Sequence, residues 1–283
     1  MNQVTTFMAL LQRESWEHPN LIWRIPVGLM ILNVVLAIAS VIFGLEYFGT
    51  ENFKFEFNSQ DLLGGPGQAA ATFFLLSYFF LSQMVAVGYL LSALYEERKD
   101  RSILFWKSLP VSDFQVVLSK ALMGLVVIPG LYLLAAMLTF VLVTLVLSLG
   151  MTFLLPGIEL FDGFLMAGLI VGGDSLRVFA LQIVWGAPVF LWVLLVSGLA
   201  RGQPLVWAMG IPLLVLVVET ALLPEARVFD WFYAHATPLF FAGTWNPEMG
   251  GASIGLADGF LAAGIGLILF ALTVFGRRHF HEI

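Results

Sequence analysis

Apolar runs close to twenty residues long recur along this chain, and each can cross a hydrocarbon core of about 30 Å as a helix rising about 1.5 Å per residue. Only 11% of the 283 residues are charged, against about a quarter in soluble domains. The mean hydropathy of +0.94 excludes a water-soluble globular fold. The pattern predicts an all-α polytopic membrane protein, one transmembrane domain over residues 1–283 with six spans at about 25–45, 70–94, 113–150, 174–198, 204–223 and 253–276. The chain has no cysteine, so disulfides, thiol catalysis and thiolate metal sites are excluded.

Residues 1–24 carry Phe7, Leu10, Leu11, Trp16 and Ile22 near one helical face, with Gln3, Arg13, Glu14 and Glu17 elsewhere. That pattern predicts an amphipathic helix lying along the membrane. Charged residues interrupt the segment and no small-residue cleavage site follows an apolar core, so it does not read as a signal peptide. Gly64, Gly65, Pro66 and Gly67 are expected to break any helix before the second span. The third stretch exceeds one crossing, which predicts tilt, a protruding end or a kink at Pro129. Asp174 is expected to cap the fourth span, and Ser253 or Asp258 the sixth, which should close at Gly276.

Six spans place both termini on one side. Ten of the 13 lysines and arginines then share that side, with Lys54, Arg177 and Arg227 opposite. The positive-inside rule makes both termini and the loop after the second span cytoplasmic. The net charge of −6 resides mostly on the outer face, which argues against nucleic acid as a partner and leaves membrane lipid as the surroundings.

Residues 95–112 mix dense charge with Ile103, Leu104, Phe105 and Trp106. Asp100 or Ser102 can cap a short helix there, and Pro110 stops it. Ser112 and Gln115 then form a capping-box pattern leading into the third span. The short helix is either an interfacial element with aromatics among headgroups or a docking lever for another protein. As a lever, Phe105 and Trp106 would anchor a buried contact, Arg98, Lys99, Arg101 and Lys107 would form its rim, and Glu97 with Arg101 would stiffen the helix.

Glu97 and Arg98, the apolar stretch around Leu104, then Leu109, Pro110, Val111, Ser112 and Lys120 resemble the permeases of type-2 class ABC exporters. The resemblance is sharp in this loop and architectural elsewhere. The chain departs from that pattern where Asp100, Arg101 and Ser102 replace a glycine-threonine pair and where Ser119 precedes the lysine. The resemblance implies ATPase coupling through Glu97, Arg98, Ile103, Leu104, Phe105, Trp106, Lys107, Pro110, Val111, Ser112 and Asp113. It also implies P-loop ATPase partner subunits on the cytoplasmic side, which hold the ATP and Mg, and a second copy of the chain or a homologous permease, with the dimer seam on the first and fifth spans. No lysine of this chain lies in a GxxxxGK[ST] loop, so the chain reads as a transport subunit without catalytic, cofactor or metal residues of its own. The alternative is an ion- or proton-coupled secondary carrier without an ATPase.

Glu219 lies one turn inside the outer end of the fifth span. It either lines a translocation path or, more simply, reaches the interface or pairs with Arg227 or His235. Residues 225–250 are rich in aromatics, among them Trp231, Phe232, Tyr233, Phe240 and Phe241. They suit an aromatic belt, and short half-helices there would form an outer gate. Gly251, Gly255, Gly259 and Ala263 repeat at four-residue spacing, a pattern for close helix packing. The tail histidines His279 and His281, beside Arg277 and Arg278, suit an interfacial anchor better than a metal site.

Overall fold

The computed structural model describes residues 3–48, 66–103, 111–154, 161–222, 228–236, 245–246, 251–252 and 255–279. Six helical stretches among them are long and apolar enough to cross a membrane, so the chain is a transmembrane protein. Helix α1 is Gln3–Glu17, and a π-helical turn over Asn20–Arg24 leads into α2, Ile25–Phe48. Helix α3 is Pro66–Ala93, followed by the five-residue α4, Tyr95–Lys99. Helix α5, Asp113–Leu122, continues through a second π-helical turn, Met123–Val127, into α6, Ile128–Leu154. Then come α7, Phe161–Leu199, α8, Pro204–Leu222, and the nine-residue α9, Val228–Ala236. A short antiparallel pair, Trp245–Asn246 with Gly251–Ala252, precedes α10, Leu256–His279.

The chain divides into two compact units, one of Met1–His18, Gln83–Pro129 and Val178–Ile283, the other of Pro19–Ser82 and Gly130–Arg177. The second unit packs through close approaches and two hydroxyl bonds between its helices. Gly150 leaves room for Val41, and Gly168 for the Phe140 ring. Tyr78 and Thr139 share a hydroxyl hydrogen bond of 2.9 Å. The other bond repairs a proline defect. In the first π-helical turn Ile25 N–H reaches back to the Asn20 carbonyl, but Pro26 has no N–H to give Leu21 in the same register. The Tyr132 hydroxyl donates to that Leu21 carbonyl at 2.8 Å instead.

The first unit repeats the device. Pro212 sits inside α8 and leaves the Ala208 carbonyl without its helical donor. Trp192 of α7 supplies its indole N–H at 3.1 Å, which fastens α7 to α8. Gly124 lies where a Cβ would come 2.6 Å from the Leu90 side chain, so α3 and the second π-helical turn approach as only glycine permits. That π-helical turn, Met123–Val127, stands just before Pro129, the position where a kink was one expectation for the long third stretch.

Several sequence expectations need correction. Pro66 opens α3 and Gly67 lies within it, because proline at a first helical position forfeits no bond. Asp174 is an interior residue of α7, which begins at Phe161 and runs 39 residues; the apolar segment before Asp174 is helical in its own right. Asp258 falls in the first turn of α10 rather than at its cap, and the helix continues past Gly276 to include Arg277, Arg278 and His279. Ser253 and His281 lie outside the described residues. Gly251 belongs to the short strand pair, not to a helix stripe. The close contact of α10 with α7 is made by Gly266, which faces Ala187 and Leu191.

Candidate functional site: a buried ion network at the foot of the loop

The chain passes from α3 to α4 through a break at Leu94, and the break is held by a residue distant in sequence. Ser197, near the end of α7, accepts hydrogen bonds on its hydroxyl from the backbone N–H groups of Leu94 and Tyr95, each at 3.1 Å. It thereby does the work of an N-cap for α4, whose own Leu94 has no capping side chain. Arg98 answers in the other direction, donating to the carbonyls of Ser197 at 3.1 Å and Ala200 at 2.7 Å. A guanidinium on the last carbonyls of a helix also meets the negative end of its dipole. Arg98 is only 5% exposed, so it belongs to this buried joint and not to the rim of a docking face.

Glu97 is the hub of the site. Its carboxylate lies 3.1 Å from Lys120 Nζ of α5, accepts from Arg277 of α10 and accepts from Arg13 of α1 at 3.3 Å. Lys120 also donates to Glu14 of α1 at 2.9 Å, and Tyr89 of α3 donates its hydroxyl to the same carboxylate at 2.7 Å. Arg277 further donates to Asp113, the first residue of α5, at 3.1 Å. The side chains of Glu14, Glu97, Lys120 and Arg277 are all under a tenth exposed. Two buried acids therefore face two buried bases. Such a cluster is tolerable out of water because each charge has opposite charges and hydrogen bonds around it. Burial acts against the Arg13 charge, but the hydrogen bond to Glu17 and the carboxylates of Glu14, Glu17 and Glu97 outweigh it and hold the guanidinium above its ordinary value.

The network corrects one reading of the sequence. Glu97 does not pair with Arg101. Arg101 is exposed and adopts φ 56°, the left-handed region, closing α4 where the Asp100 and Arg101 amides bond back to Glu96 and Arg98. Arg277, which the sequence offered only as a neighbour of the tail histidines, is a member of the network. Ser112 and Gln115 do form the capping box, with both reciprocal bonds present. Ile103 is buried and Val111 half-buried. Leu104, Phe105, Trp106, Lys107 and Pro110 lie outside the described residues. Glu14, Glu17 and His18 bring possible ligand atoms within 4.8 Å of one another, yet Glu14 is matched by Lys120 and Glu17 by Arg13 at 2.7 Å.

At the far end of α8, Glu219 is buried and accepts the backbone N–H groups of Val228 at 2.8 Å and Phe229 at 3.0 Å. Among the described residues its partners are these two amides and not His235; Arg227 lies outside the described residues. A carboxylate on the first free amides of a helix is a cap with favourable dipole sign, so Glu219 holds the start of α9. Phe229 and Phe232 of α9 close an apolar cavity of about 150 Å³ with Trp192, Ile211 and Pro212. Trp231 is half-buried and Tyr233 exposed; Phe240 and Phe241 lie outside the described residues.

Sequence reasoning missed Ser197, Glu14, Tyr89 and Arg277 as parts of the site. Glu14 carried a signal, because lying four residues after Leu10 and seven after Phe7 puts it on their apolar face and not elsewhere on the helix as first expected. No family model, no curated protein and no solved structure matches this chain.

Proposed function

We propose that this chain is the membrane-spanning permease subunit of an ATP-driven exporter in a bacterial cytoplasmic membrane. In this reading both termini are cytoplasmic, α1 lies along the interface, and ATP and Mg are held by separate P-loop ATPase subunits docked on the loop after α4. The observation that carries it is the convergence of Glu97, Arg98 and Lys120, residues of the exporter-like motif, into one buried joint with Arg277 and Ser197. An ATPase pushing on residues 103–112 needs a stem that transmits force rather than bending. Charge pairs from α1, α5 and α10 around Glu97, together with the Arg98 clamp on α7, supply that stiffness. A second copy of the chain is the expected partner in the membrane. The resemblance implies the first and fifth spans as its seam.

The test is mild-detergent purification from native membranes, with mass spectrometry for a co-purifying P-loop ATPase in comparable amount. A Phe105→Ala, Trp106→Ala double variant should still insert in the membrane but lose partner-dependent ATP hydrolysis. Purification of the intact chain alone under gentle extraction, or unchanged coupling in the double variant, overturns the proposal.

A further inference from the structure

Helix α9 is held at its two ends by different chemistry. Its start hangs on the Glu219 carboxylate of α8. Its end is held by aromatic rings. Trp185 of α7 donates its indole N–H to the Ala234 carbonyl at 3.1 Å and stacks on His235, ring centres 4.1 Å apart and planes 15° apart. Trp231, one turn earlier in α9, lies against the same imidazole at 4.0 Å and 31°. The imidazole between these indoles is 3% exposed.

His235 Nδ1 lies 2.7 Å from the Trp231 carbonyl. A carbonyl only accepts, so Nδ1 carries the hydrogen and the neutral ring presents a bare Nε2. That Nε2 is buried and has no hydrogen-bond partner among the described residues. A second proton would have to sit there, creating a charged donor out of water with no acceptor among the described residues to receive it. The indole faces attract a cation, but they supply no acceptor for an N–H in the ring plane. Among the described residues the charge that acts on the imidazole is Asp258 of α10. The groups packed against it from α7 and α9, Trp185 and Trp231, are neutral.

We infer that the His235 sandwich is a proton-released latch, which in its neutral form fixes the end of α9 to α7 and in its protonated form lets that end go. The direction follows from burial. Burial pushes the imidazole below its ordinary value, with the Trp231 hydrogen bond and Asp258 opposing only in part. A histidine that prefers to be neutral when docked contributes fully above about pH 6.5, and the contribution is lost as pH falls below that value. The latch uses no residue of the ion network and does not depend on an ATPase partner.

Hydrogen exchange of the full-length protein in lipid nanodiscs, followed by mass spectrometry and corrected for the chemical exchange rate, tests it. Between about pH 8 and about pH 5, exchange of residues 228–236 should accelerate by up to about tenfold per pH unit below the ordinary histidine value, while α7 stays protected. His235→Phe keeps a ring in the sandwich without a titrating nitrogen and should flatten the profile. Asp258→Asn, which leaves His235 in place, should steepen the acid loss. A profile in the native protein that does not change with pH, or one that His235→Phe leaves intact, overturns the latch. If His235→Phe fails to fold, an Asp258→Asn profile identical to that of the native protein overturns it.

Discussion

Replacing Glu97 with glutamine is the most demanding test of the ion network, because the change preserves shape and removes only charge. In the native protein two buried acids, Glu14 and Glu97, face two buried bases, Lys120 and Arg277. Glu97→Gln leaves the bases in excess by one. Removing one partner of a buried pair costs about 3–5 kcal/mol. The lower end applies here, because Lys120 keeps Glu14 at 2.9 Å and Arg277 keeps Asp113 at 3.1 Å. The expected loss is therefore about 3 kcal/mol, read as a shift in the denaturation midpoint of the purified protein titrated with SDS in mixed micelles. Arg277→Gln alone should cost a similar amount. The double variant restores the balance of buried charge, so its loss should fall short of the sum of the single losses by at least about 1 kcal/mol. Strict additivity, or a loss below about 1 kcal/mol for Glu97→Gln, would refute the view that Glu97 is the hub and place these pairs with ordinary surface contacts.

Arg101 occupies the left-handed region at φ 56°, where a side chain costs about 1 kcal/mol relative to glycine; Arg101→Gly should therefore leave stability unchanged or raise it by up to about that much in the same SDS assay. Gly124→Ala would place a Cβ 2.6 Å from Leu90, so a loss of about 1–3 kcal/mol is expected, relieved by Leu90→Ala in the double variant. Glu219→Gln keeps one acceptor oxygen for the amides of Val228 and Phe229 but removes its charge; faster hydrogen exchange at the start of α9, by a few-fold to about tenfold, is expected from a loss of about 1 kcal/mol. Trp192→Phe withdraws the donor that serves the Ala208 carbonyl beside Pro212, and about 1–3 kcal/mol should be lost, whereas adding Pro212→Ala should recover part of it by restoring the helical N–H.

The spans were legible because hydrophobic length is a local property: residues 25–45 and 204–223 coincide closely with Ile25–Phe48 and Pro204–Leu222. The Ser112 capping box was legible for the same reason, since its partners are three residues apart. Asp174 shows the limit. An acid after two glycines reads as a helix start, yet α7 runs through it, and a Cβ at Gly172 would meet only the Met137 side chain, at 3.6 Å, so packing does not demand glycine there. Local propensity is a weak prior wherever a long apolar helix is packed on both sides of the exception.

The network was half legible, and the missing half has a physical cause. Glu97, Arg98 and Lys120 stood out together only through the resemblance carried by the loop and the foot of the third span, and the partners that complete them, Glu14 and Arg277, lie 83 residues before and 180 after Glu97. A charge near the membrane surface looks the same in sequence whether it faces water or a partner, because long side chains reach either. What does discriminate is the count of charges that converge. Arg98 could have served a rim as well as a joint until two helix-end carbonyls were found within 3.1 Å of it. The prolines carry the same lesson in reverse. Pro26 and Pro212 each predict an acceptor without its helical donor, Leu21 and Ala208, and aromatic residues from other helices, Tyr132 and Trp192, answer them. In a membrane, where water cannot satisfy such a carbonyl, a proline inside a span is thus also a demand for a donor elsewhere in the chain. The tyrosines and tryptophans of the spans are the natural candidates to meet it.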